Sequence, residues 1–166
     1  MLTQNRLHEL FVYDQKSGLF YRKVNCGNVS AGESAGWLHH SGYHCIKIDY
    51  IIYFAHRLAW LYMYGKFPDN LIDHKNGVKN CNAILNLREA TSSQNQQNRK
   101  LNKNNRSGFR GVFLDKNSGK WRAKIKLKNR QIYLGLFDTP IAASCAWEKM
   151  AKLHFGDFFH QGFTPC

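Results

Sequence analysis

The stretch LIDHKNGVKNCNAILNLREATSSQNQQN, Leu71 to Asn98, decides the fold of the first part of this chain. It is crowded with asparagines, which lower both helix and strand preference. Yet the order of its elements is readable. The apolar pair Leu71-Ile72 opens a strand that ends on Asp73-His74, and Asn76-Gly77 turns the chain. Asn86 to Thr91 returns as a second strand, and Ser92 caps a short helix holding SQNQQN. Strand, loop, strand and helix in that order place a carboxylate (Asp73), an imidazole (His74) and an amide oxygen (Asn95) in one small site. Oxygen ligands suit a hard divalent cation such as Mg²⁺. A histidine beside it can take a proton from water near neutral pH.

Outward from that stretch, the bulk properties bound the partners. The chain has 166 residues, 43% hydrophobic and 14% aromatic, which suits a packed core rather than disorder. No apolar run has membrane-spanning length, and Met1 is not followed by a secretion-type leader, so a soluble protein in the cytoplasm is expected. The five cysteines are scattered, with no C-x-x-C pair, which fits reduced thiols. Net charge is +13, which implies a polyanionic partner, most often nucleic acid. Residues 1–98 carry 10 Lys/Arg against 7 Asp/Glu, a net of +3, whereas residues 99–166 carry 14 against 4, a net of +10. A boundary is expected near Arg99. The polar, basic residues 99–106 read as a linker, 107–159 as a second module and 160–166 as a tail.

That second module is written in strict alternation. Trp121, Ala123, Ile125 and Leu127 fall on one strand face, and Arg122, Lys124, Lys126 and Lys128 on the other. A strand over Phe109 to Asp115 precedes it. Asn129-Arg130 turns into another strand, Gln131 to Phe137. Thr139 caps a helix with Pro140 at its first position, ended by Gly156. Three antiparallel strands with a helix on the apolar face leave the cations on an open face, which fits the major groove of double-stranded DNA.

The blocks FRGVF, GKWRAKI, IYLGLFDT and the Ala-rich helix resemble AP2/ERF DNA-binding domains over Ser107 to Phe159. The resemblance implies a sheet lying in the major groove and assigns contacts to Arg110, Lys124, Lys126 and Tyr133. Phe113 and Gln131 stand where plant members of that family usually have arginines, so the plant target sequence does not carry over.

The opening stretch in turn resembles the H-N-H motif of phage homing endonucleases, the ββα-metal fold, with AHRLAW (Ala55 to Trp60) matching a helix of the same proteins and FVYDQKSGLFYRK their N-terminal hairpin. The resemblance implies an α+β chain with a nuclease module at 1–98 and a core motif at 55–98. His74 would be the general base, and Asp73 and Asn95 the ligands of a single Mg²⁺ or Mn²⁺. Asn86 would hold the loop or the His74 ring. Arg57 and Arg88 would join Arg110, Arg122, Lys124, Lys126, Lys128 and Tyr133 on DNA. Ala83 departs from the pattern, since many relatives have Arg there. Phage nucleases with an AP2 module after the H-N-H module are a known arrangement, which implies a bacteriophage protein acting in a bacterial host. The expected activity is DNA phosphodiester hydrolysis, with a monomer nicking one strand and a double-strand cut needing two chains or two binding events. The alternative is a DNA-binding regulator built on an inactive nuclease fold.

His39, His40, His44 and Cys45 cluster in WLHHSGYHC, but their irregular spacing favours strand-end or surface histidines over a zinc site. His56 is expected to pack in the core, and the D-x-x-S-G turns near Asp14 and Asp115 are repeated turn chemistry.

Overall fold

The structure, a computed structural model, describes residues 2–97, 101, 104–127 and 130–158. The chain divides into two compact units, one through Ser92 and one from Ser93 onward. Residues 99, 100, 102 and 103 of the expected linker, the expected tail, and Lys128 and Asn129 lie outside the described residues. Among the described residues no helix is long and apolar enough to cross a membrane.

The first unit opens with α1 (Gln4–Leu10), capped by the Thr3 hydroxyl, which accepts the Arg6 N–H. A hairpin follows, β1 (Phe11–Tyr13) against β2 (Phe20–Arg22). Next comes an antiparallel sheet of β3 (Trp37–Leu38), β4 (His44–Ile48) and β5 (Ile51–Phe54), ordered β3-β4-β5. The helix α2 (Ala55–Tyr64) ends where Gly65 takes a left-handed φ of 77° and returns its N–H to Leu61. The strands β6 (Leu71–His74) and β7 (Leu87–Ala90) form their own two-stranded ladder. Period-2 and helical spacing bring Leu7, Phe11, Phe20, Ile46, Leu58 and Leu61 into one core that also takes in Ile72 and Leu87 of the β6–β7 ladder. Each such side chain contributes about 1.5–3 kcal/mol when fully buried, so the ladder is anchored by the same packing that holds the helices.

The helix α3 (Ser92–Gln97) begins at Ser92 itself, so Ser92 is the first helical residue rather than the cap. In the second unit β8 (Val112–Leu114), β9 (Trp121–Leu127) and β10 (Arg130–Phe137) form an antiparallel sheet ordered β10-β9-β8. The helix α4 (Pro140–Phe155) follows, with the Thr139 hydroxyl accepting the Ala142 N–H as its N-cap. Ala143, Trp147 and Ala151 pack onto Val112, Ala123 and Ile125. Two strand limits differ from expectation. β8 is shorter than Phe109–Asp115, because Gly108 and Gly111 both take positive φ. At Gly111 a side chain would collide with the Trp147 ring and the Lys124 carbonyl, so the backbone there must remain bare. β10 begins one residue early, since Arg130 pairs with Leu127.

Candidate active site

The β6–β7 register places Asp73 opposite Arg88 and His74 opposite Leu87. Cross-strand neighbours touch, and Arg88 grips Asp73: Nε and Nη2 both donate to Oδ2, at 2.8 Å and 2.7 Å. Asp73 is only 4% exposed and His74 5%. A carboxylate this buried needs a compensating charge, and Arg88 supplies it. Arg88, expected on DNA, thus has an internal partner. So has Arg57, whose guanidinium donates to the Pro68 carbonyl and lies over the Phe67 ring.

The loop between the strands is closed by asparagines. Asn86 accepts the Asn76 N–H through Oδ1, while its Nδ2 donates to Asn76 Oδ1 and to the Cys81 carbonyl. Asn76 Oδ1 also accepts the Val78 N–H. Of the two tasks expected for Asn86, these bonds assign it the loop. The ring of His74 is held by another residue: its Nε2 lies 3.0 Å from Asn82 Oδ1. An amide oxygen only accepts, so Nε2 carries the hydrogen and the neutral ring has its lone pair on Nδ1.

Nothing local in the sequence marks Asn82, and what fixes it is remote in the chain. It is 2% exposed. The Tyr13 hydroxyl donates to its carbonyl at 2.7 Å, and the neighbouring Ile84 N–H donates to the Gln15 carbonyl. Gly18, at φ 77°, lies so close to the Asn82 backbone that any side chain there would collide with it. The D-x-x-S-G turn of the first hairpin, stitched by Ser17 to Asp14 at 2.6 Å, therefore does more than turn the chain: it clamps Asn82.

Aromatic rings surround His74. His56 meets it edge-on at 5.3 Å, and Tyr43 lies 6.0 Å away. Phe54 stacks on His56, and the Lys79 ammonium sits over Tyr43 at 4.9 Å. Burial lowers the pKa of His74, partly opposed by the Asn82 hydrogen bond and the Asp73 charge. His56 is pushed down to about 3 by burial, then by His74 and Arg57. Its Nδ1 has no hydrogen-bond partner among the described residues. Both imidazoles are therefore neutral at pH 7, and His56 is a packing residue as expected.

Other expected positions fall elsewhere. Asn95 lies on α3, in the second unit. Of the four residues raised for zinc, His44 and Cys45 are consecutive in β4 and point to opposite faces, while His39 Nδ1 is bonded to Ser41. Among the described residues no three His, Cys, Asp or Glu side chains gather as ligands. On the second sheet, Lys126 and Tyr133 are exposed and Lys124 is half-buried. Arg110 is half-buried over the Trp147 ring, its pKa lowered by burial. Arg122 is ion-paired with the buried Asp115.

Residues 53–97 match the family profile described as HNH endonuclease. That span runs from β5 through α2, β6, the asparagine loop and β7 to the end of α3. One solved structure, of DNA binding and cleavage by the HNH homing endonuclease I-HmuI, is similar at 24% identity and a TM-score of 0.41, covering 54% of this chain. The chain spans about half the length of that protein, 51%. No curated protein matches.

Proposed function

We propose that this protein is a metal-dependent DNA endonuclease that hydrolyses phosphodiester bonds at the β6–β7 site and holds DNA with the β8–β10 sheet. The observation that carries the reading is the buried, neutral His74 held through Nε2 by Asn82, next in sequence to Asp73 and inside the matched HNH segment. With its proton on Nε2, His74 takes a proton from water at Nδ1. Asn82 keeps the ring in that tautomer, and the hydrogen bond stabilises the imidazolium that forms.

The donor chemistry fits one hard divalent ion. Asp73 offers a carboxylate, and Mg²⁺ is commonly held by one or two carboxylates with substrate phosphate and water completing its shell. Asp73 would hold Mg²⁺ or Mn²⁺, and Asn95 is the further ligand implied by the resemblance to H-N-H nucleases. When bound, the ion supplies charge stabilisation for the scissile phosphate and the leaving oxygen. Arg88 holds the Asp73 carboxylate in orientation through its two bonds to Oδ2. A single site cuts a single strand, so one chain nicks.

Lys124, Lys126, Tyr133 and Arg110 form the DNA-facing set of the second unit, in the manner of an AP2-like module. The experiment is incubation of the full chain with supercoiled plasmid, with Mg²⁺ or with EDTA. Conversion to open circles only with the metal is expected. Plasmid binding without cleavage at any metal concentration would sink the nuclease reading.

A further inference from the structure

The open face of the β8–β10 sheet carries more than charge. Its register sets Phe113 beside Arg122, Tyr133 beside Lys124 and Gln131 beside Lys126. Phe113, Arg122, Lys124 and Gln131 border one shallow concavity. Arginine is the side chain best shaped to grip a guanine edge, by a two-pronged contact to O6 and N7. Here that fork is committed. Arg122 pairs with Asp115, whose buried carboxylate also accepts the Asn117 and Ser118 N–H groups through Oδ1. Asp115 is fixed by its own turn, so it holds Arg122 against the sheet rather than being carried outward by it.

Besides Tyr133, the uncharged side chains Gln131 and Phe113 stand among the lysines. Gln131 is exposed, and its amide pairs one donor with one acceptor, the complement of adenine N6 and N7. Phe113 is 56% exposed and belongs to neither core cluster of the unit. An apolar ring on a cationic, groove-sized sheet matches the one apolar feature of a base edge in the major groove, the thymine methyl. Lys124 and Lys126 supply point charges for phosphate, which fix position without reading sequence.

We infer that the sheet selects A·T pairs, with Gln131 recognising an adenine edge and Phe113 a thymine methyl, while Arg122 holds the turn and does not read a base. This rests on the DNA-binding part of the proposed function. The test is selection from a randomised duplex library by the full chain, in EDTA so that nothing is cut, alongside Gln131→Arg and Phe113→Ala. Wild type should enrich an adenine that Gln131→Arg changes to guanine, with discrimination shifting at least about fivefold, the lower end for one two-pronged contact. It should also enrich a thymine that Phe113→Ala no longer prefers. Replacing that thymine by uracil, which lacks the methyl, should weaken wild type about fourfold, as one buried carbon does, and leave Phe113→Ala unchanged. Identical preferences in wild type and both variants, with binding retained, would overturn the inference and leave DNA binding standing. Absence of DNA binding by wild type itself would overturn both.

Discussion

The two sheets that carry this protein's polar residues are built on opposite plans. Around β6–β7 the groups are few and held by neighbours: the buried Asp73 by Arg88, the buried His74 by Asn82, and the half-buried Asn86 by the loop. On β8–β10 Lys126, Gln131 and Tyr133 are exposed, Lys124 is half-buried and Arg122 is locked to Asp115. Charge follows the same division, +3 over residues 1–98 and +10 over 99–166. Proton transfer needs one ring in one tautomer and one orientation, which burial and hydrogen bonds enforce. Attraction to a polyanion needs many cations that keep their reach, which burial would remove.

The largest effect should come from the buried site. His74→Ala is expected to lower cleavage by about 10²–10⁴, the range for loss of a positioned base, with DNA affinity within a few-fold of wild type. Single-turnover cleavage and filter binding on the same preparation separate the two quantities. A variant that cut at the wild-type rate would mean that the division of labour between the sheets is wrong.

Asn82→Ala should cost less, about 10–100-fold, the usual loss for a partner that orients a catalytic group. It should also leave a mark that simple loosening would not. The Asn82 hydrogen bond raises the His74 pKa against burial, so removing it lowers that pKa further. The acid limb of the rate profile, where His74 becomes protonated and inactive, should move to lower pH. Asn86→Ala disturbs the loop instead, and its acid limb should stay nearer to wild type.

These two asparagines mark where sequence reading stopped. Asp73 and His74 at a strand end, the alternation of β9 and the Thr139-Pro140 start of α4 are all local patterns, visible from spacing and capping chemistry; the return strand expected over Asn86 to Thr91 is shorter, Leu87–Ala90, with Asn86 closing a 3-10 turn before it. That Asn82 holds the imidazole is not local. It depends on Gly18 and Tyr13, more than sixty residues away, bringing a hairpin against the Asn82 backbone. Arg88, expected on DNA, is set opposite Asp73 by the β6–β7 register, and Arg122, also expected there, is paired with Asp115. In each case the residue type was legible and its partner was not, because the partner is chosen by register and tertiary packing.

His56 sharpens the comparison from the side of stability. Its folded pKa of about 3 lies well below an unfolded value near 6.5. Between those values the unfolded chain takes up a proton that the folded protein refuses, so stability is lost as pH falls. From pH 7 to pH 5 this contributes about 2 kcal/mol. The charged and titratable groups against it are His74 and Arg57, with the Tyr43 and Phe54 rings alongside. Urea unfolding at both pH values should show a loss smaller by that amount in His56→Phe, which keeps a ring and removes the proton site. An unchanged loss would place the acid sensitivity on other groups, His44 and His74 first, whose pKa values are also lowered.

The smallest effect belongs to the exposed sheet, and its form matters more than its size. A Lys124→Ala, Lys126→Ala variant removes two cations from the open face of β9. If both neutralise phosphates, binding weakens alike on every sequence, and the slope of log affinity against log salt becomes shallower by about 1.8, at 0.9 per phosphate on duplex DNA. Cleavage at saturating DNA stays at the wild-type rate, because neither lysine belongs to the β6–β7 site. Titrations at several salt concentrations on one preferred and one unrelated duplex measure both features. If the salt slope held while the preferred duplex alone lost affinity, the lysines would be reading bases, and the split drawn here between cations that position and uncharged side chains that select would have to be redrawn. If instead the rate at saturation fell with affinity, the second sheet would be part of the catalytic machinery, and the contrast between a buried chemical site and an exposed binding face would no longer describe how this protein divides its work.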